Sequence, residues 1–98
     1  MEIIISPKTA RKLKYEHKVT EAEIHECFEN RSGETVIDDR EQHRSIPPTE
    51  WFIAATDAGR KLKIVFIPLI EDKVVALRTA YPPNKLEERL YEKETGRF

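Results

Sequence analysis

Trp51-Phe52-Ile53-Ala54-Ala55-Thr56, Asp57-Ala58-Gly59, then Leu62 through Leu69, Glu71-Asp72 and Val74 through Ala80 form the stretch that decides the fold. Three apolar, β-branched and aromatic runs are separated by short polar turns, which is the pattern of a strand meander. Strands joined by such short turns pair antiparallel. Working outward, Tyr81-Pro82-Pro83 closes the sheet, and Asn84 caps a last helix whose Leu86, Leu90 and Tyr91 fall on one side. Toward the other end, Thr35-Val36-Ile37-Asp38 reads as a short strand, and the charged stretch from Asp39 to Thr49 reads as a loop ending in Pro47-Pro48.

The first half is helical after a short strand, Glu2-Ile3-Ile4-Ile5. Ser6-Pro7 supplies an N-cap and a proline at the first helical position, starting a helix from about Pro7 to Glu16 with Ala10, Leu13 and the Lys14 stem on its inner side. His17-Lys18-Val19 forms a joint. Thr20 and Glu23 make a capping box for a second helix, whose apolar positions are Ala22, Ile24, Cys27 and Phe28 and which stops near Asn30. The order is β-α-α-β-β-β-β-α, an α+β fold with a small antiparallel sheet, two N-terminal helices and a C-terminal helix. The helices are expected on one face of that sheet. A length of 98 residues fits a single domain spanning 1–98.

Composition narrows the functions. The charged fraction is 36% and the hydrophobic fraction 39%, so the core is thin and the exterior heavily solvated. Net charge is −1, but it is unevenly spread: +3 over residues 1–18, −6 over 19–50 and +2 over 51–98. Binding to nucleic acid must therefore rest on a local basic patch. Cys27 is the single cysteine, so no internal disulfide forms. No signal peptide and no apolar run long enough to span a membrane is visible, which predicts a cytoplasmic protein.

His17, His25, Cys27 and His43 lack a metal-ligand spacing, so no metal is expected; His25 reads as solvated and Cys27 as core. Nucleophile elbows and phosphate-cradling glycine loops are absent, and no cofactor is expected. What remains is basic and aromatic. Arg60, Lys61 and Lys63 follow the turn at Gly59, and Arg78 stands mid-strand between Ala76 and Ala80. Alternation puts those three on one face, where Arg78 needs a carboxylate or a ligand. One reading is a structural Arg78–Glu87 pair that pins the last helix to the sheet. The other is RNA cleavage by the 2′-hydroxyl, which needs proton carriers and cations on the scissile phosphate. Arg60 and Arg78 are the candidate cations, Lys61 and Lys63 the candidate RNA-binding residues. His17, His43, Glu87 and Tyr91 are the candidate proton carriers, and the sequence does not choose among them.

Several landmarks then resemble a known family. His17-x-Val19 before Thr20-x-x-Glu23 and Phe28, Gly59-Arg60 leading into Leu62-Lys63-Ile64-Val65-Phe66, Arg78-x-Ala80, and Glu87-x-x-x-Tyr91 together resemble the BrnT-like branch of RelE-type toxins. Pro47-Pro48 before Trp51-Phe52-Ile53-Ala54, and Ala80-Tyr81-x-Pro83-Asn84, resemble related small bacterial proteins labelled ADP-ribosyl-(dinitrogen reductase) hydrolases. The likeness covers nearly the whole chain. Glu87 lies nine residues after Arg78, a longer spacing than the family's, through the Tyr81-Pro82-Pro83 insertion. The resemblance implies a RelE-like fold and a metal-independent endoribonuclease toxin that cuts messenger RNA, free or ribosome-bound, and is neutralised by a cognate antitoxin. Arg60, Arg78, Glu87, Tyr91 and His17 are then its catalytic candidates. The alternative is a non-catalytic module of the same fold that binds a protein or nucleic-acid partner. The hydrolase label is set aside, since that chemistry needs a larger pocket than so short a chain encloses and a metal held by carboxylates.

Overall fold

A computed structural model describes residues 1–38, 48–69 and 73–96; most of the loop from Asp39 to Thr49, including His43, lies outside them, as does the Glu71-Asp72 turn. Along the chain come β1 (Glu2–Ile4), α1 (Pro7–Lys12), a π-helical turn (Leu13–His17), α2 (Glu21–Asn30), β2 (Val36–Ile37), β3 (Glu50–Ala55), β4 (Lys61–Pro68), β5 (Val74–Tyr81) and α3 (Lys85–Thr95). Apart from the π turn, which takes over the last part of the first helix, this is the expected order.

Local chemistry explains each boundary. Thr9 N–H donates to the Ser6 hydroxyl at 3.2 Å, with Pro7 opening α1. Lys18 ends the π turn in the left-handed conformation, at φ 54°. Two residues on, Glu23 N–H donates to Thr20 Oγ1 at 3.1 Å while Thr20 N–H donates to Glu23 Oε1 at 3.0 Å, closing the capping box that starts α2. Between β3 and β4, Gly59 adopts φ 91°, which a side chain would resist, and its N–H reaches Thr56 O at 2.8 Å. The turn is tied to α2 by Asn30 Nδ2, which donates to Ala55 O at 3.0 Å and Asp57 Oδ1 at 2.9 Å.

Among the described residues the sheet has five strands in the order β1-β5-β4-β3-β2. The three pairs from β2 to β5 are antiparallel, but β1 runs parallel to β5, with Glu2 beside Val74 and Ile4 beside Ala76. The sheet is therefore mixed, which corrects the all-antiparallel expectation. A tight turn dictates antiparallel pairing only for consecutive strands, and no turn links β1 to β5. Running parallel, β1 ends beside Ala76, and α1 and the π turn continue alongside β5.

Register separates the two faces. Ile64 is flanked by Phe52 on β3 and Ala80 on β5, and Ala54 pairs with Leu62 and Glu50 with Phe66. Phe52, Leu62, Ile64, Phe66 and Ala80 are all buried. Here α2 sets Phe28 edge-on to Phe52 and Phe66, with ring centroids 5.0 and 5.4 Å away, while Ile24 and Cys27 are wholly buried. Each large apolar side chain so buried stabilises the fold by about 1.5–3 kcal/mol. The opposite face carries Trp51, Val65 and Thr79 in one row and Ile53, Lys63 and Tyr81 in the next. There α3 lies, its Tyr91 ring 5.7 Å from Trp51. The helices therefore occupy both faces, contrary to the expectation of one. Leu86 and Leu90 stay exposed, so the inner side of α3 belongs to Glu87 and Tyr91 rather than to its leucines.

A β-bulge alters the reading of Arg78. Val65 pairs with Thr79 while the next residue, Phe66, pairs with Leu77, leaving Arg78 as the extra residue. Ala80 then faces Ile64 and Ala76 faces Ile67, so the two alanines lie on opposite sides of the sheet. Arg78 does not share one face with both, and its side chain is exposed.

Candidate functional site

Among the described residues, the sheet face that bears α3 is only partly covered. A groove of about 520 Å³ runs over Trp51, Lys63, Val65, Thr79 and Tyr81, bounded on one side by Glu87 and Leu90 of α3. A second recess of about 430 Å³ continues it toward the π turn, lined by Lys12, His17, Thr49 and Arg78. Asp38, Val65, Thr79 and Tyr81 line both, so the two form one continuous depression.

Glu87 is placed by the helix that carries it. As the third residue of α3 it caps the helix start: its N–H donates to Asn84 Oδ1 at 2.7 Å, and Asn84 N–H donates back to Glu87 Oε1 at 3.0 Å. The other carboxylate oxygen, Oε2, accepts from Lys63 Nζ at 2.8 Å and from the Tyr81 hydroxyl at 2.9 Å. Lys63 and Tyr81 are cross-strand neighbours on β4 and β5, which is why both reach the same oxygen. The Lys63 ammonium also lies 4.5 Å from the centre of the Trp51 ring and 5.7 Å from that of Tyr81. Two ring faces thus add cation–π attraction to the ion pair.

These contacts set the protonation states. Burial pushes the Glu87 carboxyl up, but hydrogen bonds from Lys63, from the Asn84 backbone and from Tyr81 outweigh it and hold Glu87 below the ordinary glutamate range. Burial, reinforced by the bond to Glu87, pushes the Tyr81 phenol up against the opposing charge of Lys63. At neutral pH Glu87 is therefore a carboxylate and Tyr81 an intact phenol. The cluster can orient a cation and present hydrogen-bond donors. Tyr81 is too weak an acid there to serve as a base. The His17 ring, half-buried, lies 5.6 Å from the Tyr81 ring at 42° and brings an imidazole to the same depression.

The sequence candidates divide accordingly. His17, Lys63, Arg78 and Glu87 meet in the depression. The Arg78–Glu87 pair does not form: Glu87 is taken by Lys63 and Tyr81, and Arg78 makes no ion pair among the described residues. Tyr91 belongs to the core. It is 2% exposed, and its hydroxyl donates to Glu34 O at 2.8 Å, so it presents nothing to a substrate. Lys61 pairs with Glu88 at 3.5 Å on the outer flank of α3. Arg60 points away from the groove, to the joint before α2, where its Nη1 donates to Lys18 O at 2.8 Å and to Glu23 at 3.2 Å and its Nη2 donates to His17 O at 3.2 Å. Sequence reasoning missed Tyr81, Trp51, Lys12 and Thr79. The alternate spacing of Lys61 and Lys63 along β4 was the available signal, because it marks a basic row that cross-strand partners must share.

Among the described residues, no three His, Cys, Asp or Glu side chains gather in a way that could hold a metal ion, and no helix is long and apolar enough to cross a membrane. Comparison with family models, with curated proteins and with solved structures gave no match.

Proposed function

We propose that this protein is a metal-independent endoribonuclease of the toxin kind, cutting messenger RNA in the depression between α3 and the π turn. In this reading it acts in the cytoplasm and is held inactive by a cognate antitoxin, in keeping with the RelE-like character of its sequence. The observation that carries the reading is the convergence of Lys63, Arg78 and His17 on one depression of the sheet face that bears α3, with Lys12 beside them. Lys63, aimed by Glu87 and Tyr81, and Arg78, freed by the bulge, hold the scissile phosphate and offset its growing charge. His17 takes the 2′-hydroxyl proton as that oxygen attacks phosphorus, then returns it to the departing 5′-oxygen. The products are a 2′,3′-cyclic phosphate and a free 5′-hydroxyl.

A second reading, a binding module without catalysis, is favoured by one observation. Arg60 and Glu87 spend their hydrogen-bonding capacity inside the fold, on the helix joint and on Lys63 and Tyr81. One experiment separates the two. Labelled single-stranded RNA is incubated with purified protein in excess EDTA, beside His17→Ala and Arg78→Ala. The nuclease reading expects fragments ending in cyclic phosphate, strongly slowed but measurable cleavage by His17→Ala, and weaker binding with unchanged stability for Arg78→Ala. RNA bound but left intact supports the module. RNA neither bound nor cut refutes the RNA site.

A further inference from the structure

The joint between the π turn and α2 is an unusual piece of backbone. The π turn inserts an extra residue into the helical spiral, a feature frequent at functional sites. Lys18 then takes a left-handed conformation that a residue with a Cβ resists. Such a conformation persists only where the surroundings over-determine it. Here the Lys18 and Val19 N–H groups both return to Leu13 O, Val19 is buried, and one long side chain adds to that hold. From the first residue after the β3–β4 turn, Arg60 reaches across to the joint and donates to the carbonyl oxygens of both Lys18 and His17 and to the Glu23 carboxylate. These are the acceptors at the end of one helix and the start of the next. Glu23 is fixed in turn by Thr20, whose N–H donates to the same Oε1. The backbone contact to Glu23 from Thr20 comes first among the causes that hold this carboxyl below the ordinary glutamate range, and Arg60 adds to it.

The planar fork of arginine suits this task. Its two terminal nitrogens diverge at a fixed angle and can grip adjacent acceptors together, which a single ammonium cannot. The clamp acts on the backbone of His17, while the ring of the same residue lies against Tyr81 in the depression. Arg60 itself does not line that depression.

We infer that Arg60 is a positioning residue that holds the His17 imidazole against Tyr81 by clamping the His17 and Lys18 carbonyls. Its importance for RNA cleavage rests on the proposed nuclease reading; its effect on the ring does not. Two measurements test the inference. In the first, NMR follows the His17 ring protons in wild type, Arg60→Ala and Arg60→Lys, with Tyr81→Leu defining the ring-current contribution of Tyr81. In Arg60→Ala the His17 signals move toward the position seen in Tyr81→Leu, while those of His25, exposed on α2, stay in place. Arg60→Lys, which keeps the charge for Glu23 and so protects the fold, moves them part of the way. An unmoved His17 signal in both variants overturns the inference.

The second measurement is a double-mutant cycle on RNA cleavage with Arg60→Ala, His17→Ala and the pair. Displacing a reacting group by a fraction of its length can lower a rate by up to about a hundredfold. Arg60→Ala is expected to show a loss of that kind, and the double variant to be no worse than His17→Ala alone. Losses that multiply mean that Arg60 meets the substrate itself, which overturns the inference. If wild type cuts no RNA, the nuclease reading falls and the NMR arm still decides whether Arg60 positions the ring.

Discussion

Replacing Glu87 by glutamine isolates the cluster at the heart of the site. The introduced amide keeps an oxygen for the Asn84 N–H, so the cap of α3 survives when the amide is oriented that way. Its NH2 then faces the Lys63 ammonium and the Tyr81 hydroxyl, which in the wild type donate at 2.8 and 2.9 Å to a carboxylate oxygen. The side chains of Lys63 and Glu87 are only 15% and 19% exposed, so water compensates little. A hydrogen bond to a charged group contributes about 1.5–3 kcal/mol, and the orphaned ammonium adds to the loss, so a destabilisation of about 2–3 kcal/mol is expected at neutral pH. For a domain of this length that lowers the melting temperature by roughly 10–20 °C. The pH dependence has a definite sign. The folded protein holds Glu87 below its ordinary range, so its contribution is complete above the unfolded value and fades as pH falls through the lower, folded one. Urea unfolding of wild type and Glu87→Gln should therefore diverge most at neutral pH and converge in acid, all other groups being shared. A gap that is absent at neutral pH, or that does not change with pH, would refute the account of the cluster.

Two further predictions concern the core. Tyr91→Ala removes a buried ring tilted against Trp51 and should cost about 3–5 kcal/mol in urea unfolding, a large share of the stability of a small domain; a cost below about 1 kcal/mol would return Tyr91 to the surface. Burial pushes the Cys27 thiol up to about 12, so native protein should resist a thiol reagent in mildly alkaline buffer and the urea-unfolded chain should take up one equivalent; rapid labelling of the native state would contradict that placement.

Much of the fold was legible because its causes are local. Ser6-Pro7, Thr20 with Glu23 and Asn84 each announced a helix start through a side chain that reaches its own backbone. The β3–β5 meander was legible because short turns force consecutive strands together. What escaped notice depends on partners distant in sequence. No pattern within Glu2–Ile5 reveals that it will lie parallel to β5, since either direction satisfies an edge strand. The bulge at Arg78 was equally silent, because Ala76, Arg78 and Ala80 alternate as in a regular strand and only the pairing of Phe66 with Leu77 shows the extra residue. The site followed the same rule. Basic residues near the Gly59 turn were visible, but a count of charges does not say that Arg60 turns to the helix joint while Lys63 turns to Glu87. That division is set by strand parity, which separates Arg60 from the face shared by Lys61 and Lys63.

The parallel pairing of β1 with β5 also imposes an order in time. Ile3 leaves the ribosome about seventy residues before Val75, its neighbour in the sheet, and at about 5–20 residues per second that is an interval of several seconds. The hairpins of β3, β4 and β5 close in microseconds once their strands are available. During synthesis the apolar Ile3-Ile4-Ile5 segment therefore waits for β5 to be made, and β1 joins the sheet after the β3–β5 hairpins have formed. A strand made early, β1, is among the last to find its place.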